Sequence, residues 1–217
     1  MVSLPAYLVI FVCSFLLGSI PFGLILGKVF FHTDIRTAGS GNIGTTNAGR
    51  VLGKGCGAAV FLLDFGKGIL SGWLSCQIPL LFLATPVALG NADVALCTSL
   101  AFAGCILGHI YSPWLGFHGG KGVAVAAGCM AFTFGPVGLA IEIAVFALVT
   151  IGTRMVSAGS IAAAVCCIGI AVYLFWTVPL ACVLCAASAV VVIFAHRSNI
   201  SRIIHGEEPR IGEKKNK

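Results

Sequence analysis

The sequence predicts an all-α polytopic membrane protein of about seven transmembrane helices, some short, with the N-terminus outside and the C-terminus in the cytoplasm. Three observations predict it. First, 59% of the 217 residues are hydrophobic and 9% are charged, with a mean hydropathy of +1.05. A soluble domain carries about 25% charged residues, and one core of this size cannot hide so much apolar surface, so lipid must be its solvent. Second, long apolar runs alternate with short polar ones along the whole chain. Third, the 13 Lys and Arg gather in the segments between alternate apolar runs and at the C-terminus, as orientation by positive charge requires. The chain therefore reads as one transmembrane domain over residues 1–208 with a polar cytoplasmic tail over 209–217. A soluble basic face for nucleic acid is excluded.

The elements follow in order. Leu4 to Phe31 is a retained spanning helix: it lacks a basic leading segment and a small-residue cleavage site, and it is too long for a signal peptide. Gly18–Gly23 interrupts it with Pro21. Such a break is tolerated in lipid only where other groups satisfy the freed backbone, and it is either a packing kink or a substrate contact. Gly55 to about Cys76 is the second span. It carries Asp64 and Lys67, three residues apart on one helix face, either an internal ion pair or functional groups. Ile78 to Asp93, with Pro79 and Pro86 and no Lys or Arg, is a short outer loop. Ala92 to about Ile110 is the third span. Val123 to Thr150 is divided by Gly135-Pro136. A helical hairpin there puts every Lys and Arg on one side, at the cost of halves of about 11 to 15 residues where a span needs roughly 20. Ser160–Phe175 and Val178–Ala195 complete the set. Glu142 is the one acidic group left inside the fifth helix, either hydrogen-bonded or functional. Eight of the ten cysteines lie in apolar runs, including a Cys182–Cys185 pair, and read as small hydrophobes. No metal site or cofactor is expected.

Three polar stretches carry the chemistry. Gly108–Gly122 holds His109, His118 and Lys121 among glycines; Lys121 stands beside bare N–H groups at a helix start, a place for an anion. It resembles a nucleotide-binding loop, but no Ser or Thr follows the lysine and no strand precedes it. Ser40–Arg50 offers Ser40, Asn42, Thr46, Asn47 and Arg50, the parts of an oxyanion or phosphate cradle, or of an ordinary turn. His196–Glu208 places His196, Arg197, Asn199, Arg202 and His205 mostly at helical spacing. All three stretches are expected on one membrane face.

Taken in order, GSIPFG, SGNIGTTNAGR, LDFGKG, GHIYSPWLGFHGGKG, RMVSAGS and HRSNISRIIHGEE resemble the bacterial acyl-phosphate-dependent glycerol-3-phosphate acyltransferases, over about Leu17 to Glu208. Thr45 and His118 depart from that pattern; with His118 in place of a permanent charge, phosphate affinity is expected to vary with pH. The resemblance implies a multi-pass enzyme of the bacterial cell membrane, with its active site facing the cytoplasm. It transfers an acyl group from acyl phosphate to the 1-hydroxyl of glycerol 3-phosphate, the first acylation of phospholipid synthesis. Lys121, Ser40, Arg50 and His196 are then catalytic. Ser40, Asn42, Arg50, Lys121, Gly119, Gly120 and Gly122 hold the acyl phosphate, with Thr46 and Asn47 in the same cradle. Lys67, Arg154, Ser157, Asn199 and His196 lie around glycerol 3-phosphate, with His205 near them; His109 is a ligand or a support under the loop. The implied partners are the two substrates and the bilayer, with docking of a soluble donor-making enzyme left open. The His-x-x-x-x-Asp pair of other glycerophosphate acyltransferases is missing: four residues after His109 stands Pro113. A phosphoryl oxygen of the donor is therefore expected to take the hydroxyl proton. The rival reading is a phosphate or organic-anion transporter, which internal repeats and mid-membrane cations would have favoured.

Overall fold

A computed structural model describes residues 2–82 and 90–213, and every regular element among them is helical. Pro86 and part of the expected outer loop lie outside the described residues. Helix α1 (Leu4–Ser19) stops where Pro21 withholds an N–H and Ile20 turns extended; α2 (Phe22–Phe31) resumes the same span. The polar groups at this break are answered from other elements. Lys67 Nζ donates to Ile20 O at 2.9 Å, Ser112 Oγ to Ser19 O at 2.7 Å, and Trp114 Nε1 to Ser19 Oγ at 2.8 Å. The Gly18–Gly23 break is thus a kink held from inside the bundle, as lipid demands.

Helix α3 (Thr45–Val51) is a short helix before α4 (Lys54–Gln77), and α5 (Asn91–Ile110) follows. In the span containing α5, 72% of the most apolar stretch is buried, against 17% in the helix over Gly135–Thr153, so α5 is the post around which the others stand. Two crossings bring backbones into contact through glycine. On α5, a Cβ at Gly104 or Gly108 would lie 2.6 or 2.0 Å from carbonyls of α1, and at Gly18 one would lie 2.1 Å from Cys105 O. Gly68 of α4 and Gly128 of α6 (Val123–Thr133) face each other in the same manner. Small residues at such crossings are how helices associate without a hydrophobic effect between them.

The expected division of 123–150 is present, one residue early: Phe134 caps α6, Gly135 takes φ +70°, and Pro136 sits in the first turn of α7 (Gly135–Thr153). The halves are unequal. α6 has 11 residues, but α7 has 19, because apolar helix continues to Thr153. Helix α8 (Val156–Phe175) packs on α7 and on α9 (Pro179–Ala195), and α9 packs on α5; the tilted rings of Phe102, Phe134 and Phe175 meet in the core between them. α10 (Arg197–Ile204) leaves α9 at a 55° bend. Five segments among the described residues are long and apolar enough to cross a membrane, and six if α9 and α10 count as one. No two of the ten cysteines are bonded to each other.

Asp64 and Lys67 form the internal ion pair: Nζ lies 2.9 Å from Asp64 Oδ1, both side chains are almost wholly buried, and Nζ also meets His109 Nδ1 at 3.0 Å. Removing one partner of such a pair strands the other charge. Lys67→Met is expected to destabilise the protein by about 3–5 kcal/mol, read as a lower Tm in detergent. A variant that keeps the wild-type Tm while losing activity would put Lys67 on substrate instead.

Candidate active site

The three polar stretches surround one cavity of about 490 Å³. The loop before α3 contributes one wall. Its keystone is Asn47, 2% exposed: Oδ1 accepts from Ser40 N, while Nδ2 donates to the carbonyls of Ile35 and Ala38. Asn42 Oδ1 accepts from Gly44 N. These bonds hold Ser40, Thr46 and Arg50 along the cavity, and Thr45 Oγ1 is buried there with no hydrogen-bond partner among the described residues.

The glycine loop forms the second wall. Gly119 N and Gly120 N donate back to the carbonyls of Ile110 and His109. A Cβ on Gly119 would lie 2.0 Å from His109 O, and one on Gly120 would lie 2.1 Å from His109 Nε2. Both glycines are therefore there for close approach to the end of α5, and neither lines the cavity; Gly122, with φ +82°, does. Lys67 faces His109 Nδ1, and since an ammonium only donates, that nitrogen accepts. His109 links the ion pair below to the loop above, and its ring also reaches the cavity. His118, where a pH effect on phosphate affinity was expected, is exposed, its ring Nδ1 meets Gly116 O, and it does not line the cavity.

The third wall comes from α8, the α9–α10 bend and the tail. Lys121 Nζ donates to Asn199 Oδ1, and Asn199 Nδ2 donates to Glu208 Oε1 at 2.7 Å. Glu208 also accepts from Ser157 Oγ at 2.7 Å and from Arg202 Nε at 2.8 Å. Burial pushes the Glu208 carboxyl up, but the hydrogen bonds from Ser157, Asn199 and Arg202, with the charge of Arg202, outweigh it and hold it below its ordinary value. His196 is buried in the wall; its Nδ1 donates to Val192 O, which leaves Nε2 as the acceptor of the neutral ring.

Four expected site residues stand off this cavity besides Gly119. Lys67 and Gly120 lie beneath it. Arg154, with φ +61°, clasps the tail: its guanidinium donates to Ile211 O at 2.6 and 3.1 Å, and Ile211 N donates to Arg154 O at 2.7 Å. His205 is exposed and bonded to Ser201 O. Conversely, sequence reasoning assigned nothing to Glu208 or to the tail, yet Glu208 ties three elements together and residues 209–213 border the cavity. The signal was an acidic pair closing an otherwise basic segment. Among the described residues, no group of three His, Cys, Asp or Glu is placed to hold a metal ion.

A second cavity, of about 310 Å³ and almost wholly apolar, adjoins the first; Phe61, Val123, Ala124, Phe146 and Ser160 line both. Cations and amides at the ends of apolar helices, opening onto a greasy groove, define a membrane-embedded site for amphiphiles with anionic heads. The model of the glycerol-3-phosphate acyltransferase family matches residues 8–206, and the chain belongs to that family. It is 42% identical over 201 residues to the glycerol-3-phosphate acyltransferase of Staphylococcus carnosus, covering 91% of this chain and 94% of that one. It is 38% identical over 205 residues to that of an Anaeromyxobacter species, covering 94% and 96%. Its structure resembles the glycerol 3-phosphate form of PlsY, an integral membrane glycerol 3-phosphate acyltransferase, with a TM-score of 0.77 at 32% identity over 95% of this chain and 96% of the other.

Burial, the largest cause, pushes the Lys121 ammonium down to about 8; Arg202 and Arg50 push the same way, and Glu208 opposes them. A lowered lysine loses its charge as pH rises through that value, so kcat/KM is expected to fall above about pH 8. Lys121→Arg keeps a permanent charge and is expected to remove that alkaline limb, whatever its effect on the plateau. A limb that persists unchanged in Lys121→Arg assigns it to another group.

Proposed function

We propose that this protein, a bacterial membrane glycerol-3-phosphate acyltransferase of phospholipid synthesis, takes its acyl group from acyl phosphate and delivers it to the 1-hydroxyl. The products are then lysophosphatidic acid and inorganic phosphate. The reading includes seven helices, counting α6 and α9 as short spans, an outside N-terminus, and a polar cavity open to the cytoplasm.

The observation that carries it is the continuity of the two cavities. Lys121 and Arg50 converge on the polar one. Among the described residues, the guanidinium of Arg50 has no partner, and its charge lowers the pKa of Lys121. Two cations brought together by the fold call for an anion between them. Arg202 is already answered by Glu208. The apolar groove beginning at Phe146 and Ser160 suits the tail of a donor whose phosphate sits at Lys121.

In the step, the glycerol 1-oxygen attacks the acyl carbon, the bond from that carbon to the phosphate oxygen breaks, and phosphate leaves. The hydroxyl proton passes to a phosphoryl oxygen of the donor. His109 does not suit a general base, because its Nδ1 is turned to Lys67 and its Nε2 is packed against Gly120. His196 keeps an acceptor nitrogen, but its Nδ1 bonds a carbonyl rather than a carboxylate. Lys121, Arg50, Ser40 and Asn199 then act by holding both phosphates and meeting charge as it develops.

Purified protein in detergent is expected to release phosphate from acyl phosphate only when glycerol 3-phosphate is present, and to form no product from acyl-CoA. Lys121→Ala is expected to lose roughly 10²–10³ in kcat/KM, and His196→Ala less. Equal losses in a folded His196→Ala would favour a protein base. Uptake of glycerol 3-phosphate into proteoliposomes without lysophosphatidic acid would favour the transporter.

A further inference from the structure

Two phosphates must be held in the polar cavity during the proposed reaction. Among the described residues, four Lys and Arg side chains border it: Arg50, Lys121, Arg202 and Arg210. Arg50 and Lys121 stand together, and Arg202 is neutralised by Glu208. Arg210 is left. It is exposed, and its guanidinium has no hydrogen-bond or ion-pair partner among the described residues.

An exposed arginine in a tail is ordinarily an anchor on the positive side of the membrane, and such a residue needs no fixed place. Arg210 has one. Gly206, with φ +73°, ends α10 and turns the chain back, and Glu207 N donates to Arg202 O at 2.7 Å. The Glu208 carboxylate then pins one end of a short strap to Ser157, Asn199 and Arg202. Ile211 pins the other end: its N–H and its carbonyl both bond Arg154. Arg210 N donates to Glu213 Oε2 at 3.0 Å, and Arg210 O accepts from Glu213 N at 3.2 Å, which closes a turn with Gly212 at φ +81°. Pro209 stiffens the strap further by fixing its own φ. The backbone of Arg210 is thus held beside the cavity while its charge is left unanswered.

We propose that Arg210 is a substrate-binding residue for the phosphate of glycerol 3-phosphate, and that Arg154 is the positioning residue that holds it there. A guanidinium grips a phosphate through two parallel N–H donors. The two phosphates are told apart by their places. Lys121 is two residues from Val123, which borders both cavities, so the phosphate it holds is the one whose tail enters the groove. Arg210 lies on the strap, off the groove, and suits the substrate that has no tail.

The inference rests on the polar cavity being the place where glycerol 3-phosphate reacts. The test measures the Kd of glycerol 3-phosphate by calorimetry on the full chain in detergent, without donor, and the KM of each substrate in lysophosphatidic acid formation. Arg210→Met is expected to raise the Kd and KM of glycerol 3-phosphate about tenfold, with the donor KM held within about twofold and Tm unchanged. Arg210→Lys is expected to recover part of the loss. Arg154→Met, which unpins the strap, is expected to weaken glycerol 3-phosphate in the same direction, and Arg154→Gln stands in if it fails to fold. An unchanged Kd in Arg210→Met overturns the proposal. So does a loss shared equally by both substrates, as general attraction of anions to a basic face would give. An unchanged Kd in the Arg154 variant overturns the positioning role. Failure of acyl phosphate as donor counts against the proposed reaction alone, because the binding measurement needs no donor.

Discussion

A lysine ammonium placed at the end of a bundle of apolar helices must be kept charged without being neutralised in place. Direct pairing with a carboxylate would keep the charge but leave little field for a substrate. Here the carboxylate stands one residue removed: Lys121 meets the amide oxygen of Asn199, and Asn199 passes its own N–H to Glu208. Glu208 is in turn fixed by Ser157 and Arg202. One carboxylate thereby joins α8, α10 and the tail, and the polar cavity is the space these elements leave around the lysine.

The other side of the cavity depends on a second buried charge. The Asp64–Lys67 pair lies under the glycine loop, and Lys67 divides its donors among Asp64, His109 and the carbonyl freed at the α1–α2 break. The break in the first span and the loop carrying Lys121 are consequently positioned by the same ammonium. Gly120 completes the arrangement by letting the loop backbone close on the His109 ring. The kinked helix, the ion pair and the loop form one support, whose members lie far apart in sequence.

How much of this was legible in the sequence follows from the range of each signal. Apolar runs and the grouping of Lys and Arg report on lipid and are local, so the helices and the convergence of the polar stretches could be read directly. The Gly135-Pro136 break was legible because Gly and Pro act within a turn of where they stand. Roles that depend on distant partners were not. Lys67 looks like a phosphate ligand until Ile20 O is found 47 residues away, and Arg154 likewise until Ile211 O is found 57 residues away. Asn47 reads as a substrate amide, but its bonds to Ser40, Ile35 and Ala38 make it the frame of its own loop. Glu142 was visible as an anomaly, but that its carboxyl oxygens meet no hydrogen-bond partner among the described residues is a property of the folded structure alone.

The central claim is that the three polar stretches meet on one side of the membrane around two anionic heads. Single cysteines at the exposed positions Thr46, His118 and His205, in a background freed of the native cysteines, test it most directly with a membrane-impermeant thiol reagent. The account predicts that all three react when the reagent is on the cytoplasmic side of sealed vesicles, and that none reacts from the other side. A single position labelled only from the opposite side would contradict it.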